Sequence, residues 1–181
     1  MKNEIVINEG IEAGIERNNL TIKSEKGSLE RTFSHPHIKM KKEDNKIVLV
    51  SDLERKKVKA IMGTWQALIR NMMIGVRNEW RAELKTMHSH FPMKLKVENN
   101  ELIIENFLGE RNPRKVPIPE NLNVGIKGNE IVITGTSKED VGQLAARIEQ
   151  TTRVRGYDKR VFQDGCYITR KPYSLEGTGH E

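Results

Sequence analysis

Residues 43–54, E-D-N-K-I-V-L-V-S-D-L-E, place a turn, a strand and a helix start in immediate succession. The polar residues Glu43, Asp44 and Asn45 predict a turn, and the apolar run at residues 47–50 predicts a buried strand. Ser51 and Glu54 have the spacing of a capping box, in which the two side chains satisfy free amides at a helix start. This stretch therefore predicts a hairpin strand that leads directly into a helix.

Upstream of this stretch, apolar and polar residues alternate and polar turns separate the runs. Alternation is clear at residues 11–15 and 20–22, with a turn at Arg17-Asn18-Asn19 between them. It continues through residues 29–33 after a turn at Lys26-Gly27 and resumes at residues 38–40. A period of two with such turns is typical of antiparallel hairpins.

Downstream, the apolar residues change to alternating three- and four-residue steps, which is the period of one helix face. This stripe contains Val58, Ile61, Trp65, Leu68, Met72 and Val76. The first part of the chain is therefore predicted to be a set of hairpins followed by one long, packed helix.

The same plan recurs about eighty residues later along the chain. Asn19-Leu20-Thr21-Ile22 corresponds to Glu101-Leu102-Ile103-Ile104, and Asn45-Lys46-Ile47-Val48 corresponds to Asn129-Glu130-Ile131-Val132. Ser137-Lys138-Glu139-Asp140 predicts a second helix cap, and Val141, Leu144 and Ile148 form the stripe that follows it. A repeat of this length is too long for a solenoid and indicates a tandem-duplicated domain.

The predicted fold class is α+β, with two tandem duplicated domains that each contain an antiparallel sheet and one packed helix. We expect a loosely held amino-terminal tail at residues 1–10 and a first β/α repeat at residues 11–86. The second repeat is expected at residues 87–172, with a linker at residues 85–91 and a flexible tail at residues 173–181.

Composition limits the class of protein. Hydrophobic residues make up 36% and charged residues 31% of 181 residues, so two small cores are more plausible than one large core. A net charge of +6 suits an RNA or DNA partner without requiring one. The lone Cys166 excludes an internal disulfide, and no apolar run is long enough to span a bilayer. The expected compartment is the cytoplasm.

Residue patterns for catalysis or metal binding are weak. Phosphate-loop, dinucleotide-binding, zinc-protease and nucleophile-elbow motifs are missing from the sequence. His35 and His37, and likewise His88 and His90, could form a zinc site, but no cysteine or carboxylate completes a ligand set in the sequence. Cys166 is expected to fill the core face of a last, edge strand at residues 167–169. We therefore predict neither an enzyme nor a cofactor.

Two basic regions remain as candidate binding sites. One is a proline-containing loop at residues 109–115, and the other is the segment T-T-R-V-R-G-Y-D-K-R-V-F-Q-D-G-C-Y-I-T-R-K-P at residues 151–172. The second region interleaves cations with aromatic residues and glycines, a pattern suited to nucleic acid. Lys39, Lys41 and Lys42 and the run at residues 54–57 have acids nearby and are interpreted as solvated surface. Trp80 could stack on a base or pack against the neighbouring domain, and we favour packing.

Four strings in the chain are similar to a known family. They are G-T-W-Q-A-L-I-R-N-M (residues 63–72), N-F-L-G-E-R-N-P-R-K-V-P-I-P (106–119), V-G-Q-L-A-A-R-I-E-Q (141–150) and R-V-R-G-Y-D-K-R-V-F-Q-D-G-C-Y-I (153–168). With them the chain resembles ribosomal protein L six of the large subunit, in its archaeal and eukaryotic form. The resemblance covers nearly the whole length, but the string at residues 158–164 differs from the K-G-K-G-I-R-Y-like string of the bacterial form.

The resemblance implies a structural constituent of the large ribosomal subunit, in which the carboxy-terminal repeat at residues 87–172 is the main RNA-binding domain and binds large-subunit ribosomal RNA. Neighbouring ribosomal proteins are implied as further partners. The resemblance also implies a position near the base of the factor-binding stalk, beside the sarcin–ricin loop. Phosphate contacts are expected from Arg153, Arg155, Lys159, Arg160 and Lys171. Tyr157 and Phe162 are expected to pack or stack beside sugars and bases, and Gly156 and Gly165 to allow close approach. Secondary contacts are expected from Arg111, Arg114 and Lys115.

Two other classes of function remain open from the residues alone. The chain could be a protein–protein adaptor that uses exposed edge strands, in which case binding would depend little on salt. It could also be a metal-dependent enzyme that uses the paired histidines, in which case zinc would survive dialysis.

Overall fold

The chain divides into two units, Met1–Glu79 and Trp80–Glu181, in a computed structural model. The structure describes residues 1–25 and 27–174. Within these residues, each unit combines antiparallel strands with one α-helix. The predicted α+β class and tandem organisation are therefore confirmed.

In the described part of the first unit, two three-stranded antiparallel sheets pack with one helix around a shared core. Strand β6 lies between β1 and β5, and β3 lies between β2 and β4. The elements are β1 (Lys2–Val6), β2 (Glu12–Glu16), β3 (Asn19–Ser24), β4 (Gly27–Thr32), β5 (Ile38–Glu43), β6 (Lys46–Ser51) and α1 (Lys56–Arg77). Leu20, Ile47 and Ile69, from a strand of each sheet and from the helix, are fully buried.

Strand β1 corrects the expectation that residues 1–10 are loosely held. It pairs with β6 over its whole length, and Ile5 and Ile7 are buried in the core. The pairing partner, from Lys46 to Val50, lies at least forty residues away in sequence. A single short strand has too few residues for its alternation to be recognised, and it becomes stable only once β6 provides hydrogen-bond partners.

Ser51 does not begin the first helix, so the predicted capping box is wrong. Ser51 is the last residue of β6, and its hydroxyl oxygen accepts a hydrogen bond from the Leu53 amide at 3.2 Å. Helix α1 begins at Lys56, and Arg55 at its start makes no side-chain capping bond. The serine satisfies a local turn instead, an alternative that serine side chains commonly offer the backbone.

The buried face of α1 is wider than the predicted stripe. Val58, Trp65, Met72 and Val76 are buried as expected, whereas Ile61 and Leu68 are only partly buried against the core. Further fully or largely buried residues of α1 are Met62, Ile69 and Met73. The face is wider because α1 packs against strands of both sheets in its unit.

The described part of the second unit contains a four-stranded sheet in the order β11-β12-β7-β13 and a three-stranded sheet in the order β10-β9-β8. Its elements are β7 (Trp80–Met87), β8 (Lys94–Glu98), β9 (Glu101–Glu105), a 3₁₀ turn (Phe107–Gly109), β10 (Arg114–Pro117), β11 (Leu122–Lys127), β12 (Glu130–Gly135), α2 (Lys138–Thr151) and β13 (Gly165–Tyr173). Ser137 caps α2 as predicted, because its hydroxyl oxygen accepts the Asp140 amide at 3.3 Å.

The two units repeat one topology, with a single addition in the second. The order β5-β6-β1 corresponds to β11-β12-β7, and β2-β3-β4 corresponds to β8-β9-β10. Each helix follows the equivalent strand, β6 or β12. Strand β13 has no counterpart among the described residues of the first unit, so β13 and the loop before it are what the second copy adds.

Strand β7 corrects the expected linker at residues 85–91 and the boundary after residue 86. It is a central strand of its sheet and extends to Met87, with Ala82, Leu84 and Thr86 buried at alternate positions. Trp80 is also buried rather than open to a base, and the Lys138 amine of the same unit lies 4.4 Å from the centre of its ring. Apolar and polar residues alternate along β7 in the sequence. Because β7 begins directly after α1, this alternation is hard to distinguish from the helical period before it.

The carboxy-terminal strand is longer than predicted. Strand β13 is an edge strand, as expected, but it continues to Tyr173, whose hydroxyl donates to Glu83 Oε1 at 2.7 Å. Ser174 is buried. The predicted flexible tail is therefore wrong for residues 173 and 174, and its other residues, 175–181, lie outside the described part of the chain.

Candidate nucleic-acid interface

A loop at residues 152–164, here called the basic loop, connects α2 to β13 in the second unit. Thr152 closes the base of this loop through two hydrogen bonds. Its hydroxyl accepts a hydrogen bond from the Cys166 amide at 2.9 Å and donates one to the Ile148 carbonyl oxygen at 3.3 Å. Thr152 and Cys166 are both almost completely buried. The two ends of the basic loop are therefore held together by the core.

Gly165 lies where the two ends of the basic loop meet, and its lack of a side chain lets them approach closely. A Cβ atom at this position would lie 3.1 Å from the Thr152 carbonyl oxygen, a backbone atom that cannot easily move. Gly165 is buried, so the close approach that it permits is between two segments of its own chain. Gly156 differs, because it is exposed, has a φ of +79° and has open space around it.

Asp158 shapes the tip of the basic loop. Its carboxylate accepts the Arg160 amide at 2.9 Å, and its carbonyl oxygen accepts the Phe162 amide at 2.9 Å. An aspartate that bonds the backbone two residues later is a common way to fix a turn. The acid that interrupts the run of cations therefore has a structural role.

Asp164 anchors the end of the basic loop to the segment after β7. Its side chain is 1% exposed and accepts hydrogen bonds from the Ser89 amide, the His90 amide and His90 Nδ1, at 2.8, 3.2 and 2.8 Å. Burial by itself would raise the pKa of Asp164, but the hydrogen bonds from His90 and Ser89 lower that pKa to about 2. Asp164 is therefore a carboxylate at neutral pH.

Aromatic packing continues from this anchor. The ring of Phe162 stacks on His90 with centroids 4.4 Å apart, and Tyr157 lies 4.7 Å from Phe162 at a tilt of 47°. Phe162 is thus partly buried against its own protein, whereas Tyr157 is 54% exposed. Of the two aromatic residues predicted to face nucleic acid, only Tyr157 presents a large open surface.

The predicted phosphate-binding cations lie on the surface. Arg153, Arg155, Lys159 and Arg160 in the basic loop and Lys171 on β13 are all exposed. Within residues 1–25 and 27–174, none of the five forms an ion pair with an acidic side chain. They are therefore available to an external anion.

The second predicted region is largely occupied by contacts within the protein. Arg114 lies on β10 rather than in a loop, and its guanidinium bonds both carboxylate oxygens of Glu110 at 2.6 and 2.8 Å. It also lies 4.1 Å from the centre of the Phe107 ring and donates to the Thr151 carbonyl oxygen. Lys115 pairs with Glu101 at 3.0 Å, and Arg111 is exposed.

Arg147 is a cation that the sequence reasoning did not select. It is exposed on α2 and lines a groove of about 420 Å³ together with Arg114, Arg155, Gln150 and Thr151. The groove brings the two predicted basic regions together. Arg147 could have been found from the helical period, since it precedes the buried Ile148 and lies within two turns of the basic loop.

A second cavity, also of about 420 Å³, lies beneath the basic loop. Its lining includes Arg153, Lys159, Phe162 and Tyr167, which combine positive charge with aromatic surface. Cys166 also lines it, and burial raises the pKa of that thiol. A buried, protonated thiol is a poor nucleophile, in agreement with the packing role predicted for Cys166.

The histidine pairs do not assemble a metal site in the described part of the chain. His35 accepts the His37 amide through Nδ1 at 3.2 Å, and His90 is committed to Asp164. Among residues 1–25 and 27–174, no group of three or more potential ligands converges.

The helices within the same residues are also too short or too polar to cross a membrane.

Comparison with known proteins identifies the family. The family model described as "Ribosomal protein L6" matches residues 7–79 and again residues 91–165. The chain belongs to the ribosomal protein L6 family. Members of this family are structural components of the ribosome rather than enzymes, and the twofold match agrees with the repeated topology of the two units.

Curated relatives in the L6 family cover the chain almost completely. Large ribosomal subunit protein uL6 of Methanosarcina mazei is 42% identical over 167 residues, which span 92% of this chain and 95% of the relative. The protein of the same name from Methanobrevibacter smithii is 42% identical over 171 residues, spanning 94% and 96%. That of Haloarcula marismortui is 41% identical over 169 residues, spanning 93% and 95%.

Proposed function

We propose that this chain is a structural constituent of the large ribosomal subunit in the cytoplasm and binds large-subunit ribosomal RNA mainly through its second unit. Its site is near the base of the factor-binding stalk and the sarcin–ricin loop, beside neighbouring ribosomal proteins. Family membership supports the RNA partner and this position. The observation that carries the proposal is a loop of exposed cations, without acidic partners in the described residues, that the second unit adds to the shared topology.

Contacts divide into two groups in this proposal. Arg153, Arg155, Lys159, Arg160 and Lys171 bind phosphates, and Arg147 joins them through the groove it shares with Arg155. Tyr157 stacks on a sugar or base, and Gly156 leaves the backbone open to close approach. Arg111 is a peripheral contact. Arg114 and Lys115 contribute positive potential while their main bonds remain within the protein.

Salt dependence of binding tests the proposal. Neutralising a cation that contacts a phosphate lowers the slope of log affinity against log salt by about 0.7–0.9. The fourfold variant Arg153/Arg155/Lys159/Arg160→Ala is therefore expected to lower the slope for a large-subunit RNA fragment by about three units, and Arg147→Ala by about one further unit.

A matched variant separates this site from a general effect of charge. Lys23, Lys85, Lys94 and Lys127 are exposed cations outside the basic loop, and replacing all four with Ala changes the net charge equally. We expect this control to keep most of the slope. An unchanged affinity and slope in the fourfold basic-loop variant would contradict the proposed site, and salt-independent capture of a protein partner would support an adaptor instead.

A further inference from the structure

The outer face of α1, in the first unit, carries positive charge that the proposed RNA site does not use. Helix α1 contains Lys56, Lys57, Lys59, Arg70 and Arg77 and no aspartate or glutamate. Outside α1, the first unit contains ten lysines and arginines against eleven acids. The helix therefore supplies the entire positive excess of this unit.

The equivalent helix of the second unit shows that the fold does not require this charge. Helix α2 carries Lys138 and Arg147 together with Glu139, Asp140 and Glu149. Both helices follow equivalent strands and pack on equivalent sheets. Because a mixed-charge helix is sufficient in that position, the uniform charge of α1 points to a requirement outside the fold.

The cations of α1 are arranged in a row. With about 100° of rotation per residue, Lys56, Lys59 and Arg70 fall within an arc of about 60° on the side of the helix away from its core-facing residues. Lys56 and Arg70 are separated along the axis by about 21 Å at the usual rise of an α-helix. All three side chains are exposed, and in the part of the chain that the structure describes none of them pairs with an acid.

Small residues occupy the gap in this row. Gly63 and Ala67 are exposed between Lys59 and Arg70, and a Cβ atom on Gly63 would meet no atom within 4 Å beyond its chain neighbours and the backbone of its own helix. Packing within the chain therefore does not explain a glycine in the interior of a long helix, where glycine is unfavourable. Small side chains at this point leave the helix surface flat and open to a closely approaching partner.

We propose that this surface, the α1 face (Lys56, Lys59, Gly63, Ala67 and Arg70), binds the phosphate backbone of ribosomal RNA and makes the first unit a second RNA contact. Charge complementarity selects the partner, since a row of cations without acids fits a regular polyanion. The inference rests on the proposed function, because it takes ribosomal RNA as the partner of both units. It extends that function to a surface that includes Lys56, which the sequence analysis had interpreted as solvated surface.

Rebinding to large subunits depleted of this protein provides the first test. The variant Lys56/Lys59/Arg70→Gln is expected to lower the salt slope of rebinding by about two to three units. The control Lys23/Lys39/Lys41→Gln removes the same charge from exposed strand positions of the same unit. The inference is overturned if both variants lower the slope equally, or if the α1 variant leaves it unchanged.

The same assay separates this inference from the proposed function. If the α1 variant matches the unaltered protein while Arg153/Arg155/Lys159/Arg160→Ala lowers the slope, the α1 face fails and the basic loop stands. If neither variant changes the slope, both proposals fail.

A tethered cleavage probe identifies what lies on the α1 face. The lone native Cys166 is 1% exposed, so the variant Gly63→Cys offers a single accessible thiol for an iron–EDTA reagent. In subunits that carry this labelled protein, we expect hydroxyl-radical cuts in ribosomal RNA that a probe at Glu12→Cys, an exposed position outside α1, does not produce. Absence of cuts specific to position 63, or fragmentation of a neighbouring protein alone, would overturn the inference.

Discussion

Asp164 is the residue on which the geometry of the basic loop depends most directly. It is a buried acid that receives two backbone amides and the His90 ring, which in turn supports Phe162 and, through it, Tyr157. The cations of the basic loop are themselves exposed and have no acidic partners in the described residues. Their positions are therefore set by neighbouring residues that do not face solvent.

Acid should weaken this anchor over a definite range of pH. The folded-state pKa of Asp164, about 2, is below the ordinary value of 3.8, so its contribution is complete above pH 4 and is lost as pH falls toward 2. The shift corresponds to roughly 2 kcal/mol of unfolding free energy. Asp164→Asn should be less stable than the unaltered protein at pH 6 and should show a weaker dependence between pH 2 and 4.

Urea unfolding at several pH values measures this difference. Asp158→Asn is a matched control, because Asp158 is exposed in the same loop and bonds an amide that asparagine can also satisfy. Equal pH dependence in the unaltered protein and Asp164→Asn would show that this carboxylate does not control acid stability.

At the scale of elements, glycines show which surfaces are constrained by the fold. Gly135 ends β12, and a Cβ atom there would lie 2.3 Å from a methyl group of Leu122 and 3.3 Å from one of Val141. Gly63 in α1 has no such neighbour. One glycine is required by packing at the strand–helix junction, and the other is not required by any contact within 4 Å.

Opposite effects of alanine at the two glycines are therefore expected. Gly63→Ala should raise the free energy of unfolding by about 1 kcal/mol, because alanine loses less backbone entropy in a helix and meets no clash. Gly135→Ala should lower it by about 1–3 kcal/mol, since the core would be overpacked. Chemical denaturation of the free protein measures both, and a destabilised Gly63→Ala would contradict our account of the α1 surface.

At the scale of the whole molecule, duplication provides two copies of one scaffold with different surfaces. Each copy buries its own core, and Leu20 in β3 and Leu102 in β9 occupy corresponding, fully buried positions. The second copy adds the basic loop and β13, whereas the first carries the cationic helix. The surfaces differ between the copies because surface residues can change while buried ones are held by packing.

Matched core substitutions should therefore act locally. Leu102→Ala creates a cavity that typically costs about 2–5 kcal/mol, and we expect it to lower hydrogen-exchange protection within residues 80–174. Leu20→Ala should lower protection within the described residues of the first unit. If each substitution lowers protection equally in both units, they unfold as one cooperative body and our description of separate cores is wrong.

Sequence alone determined the class of most main elements, the duplication and the surface location of the cations in the basic loop. These properties depend on local periodicity, as in the helical stripe beginning at Val58, and on similarity between segments, as between those that contain Leu20 and Leu102. The cap at Ser137 was also predictable, because its partner is three residues away.

Only the tertiary structure decided which distant segments meet. The pairing of β1 with β6, the central place of β7 and the bond between Asp164 and His90 each join residues far apart in sequence. The same is true of Arg114, which contacts Glu110, Phe107 and Thr151, and of Arg147, which shares a groove with Arg155. The physical reason is that a residue's period and charge are local properties. Whether a side chain is buried, paired or exposed, and against which residue, depends on the packing of the complete fold.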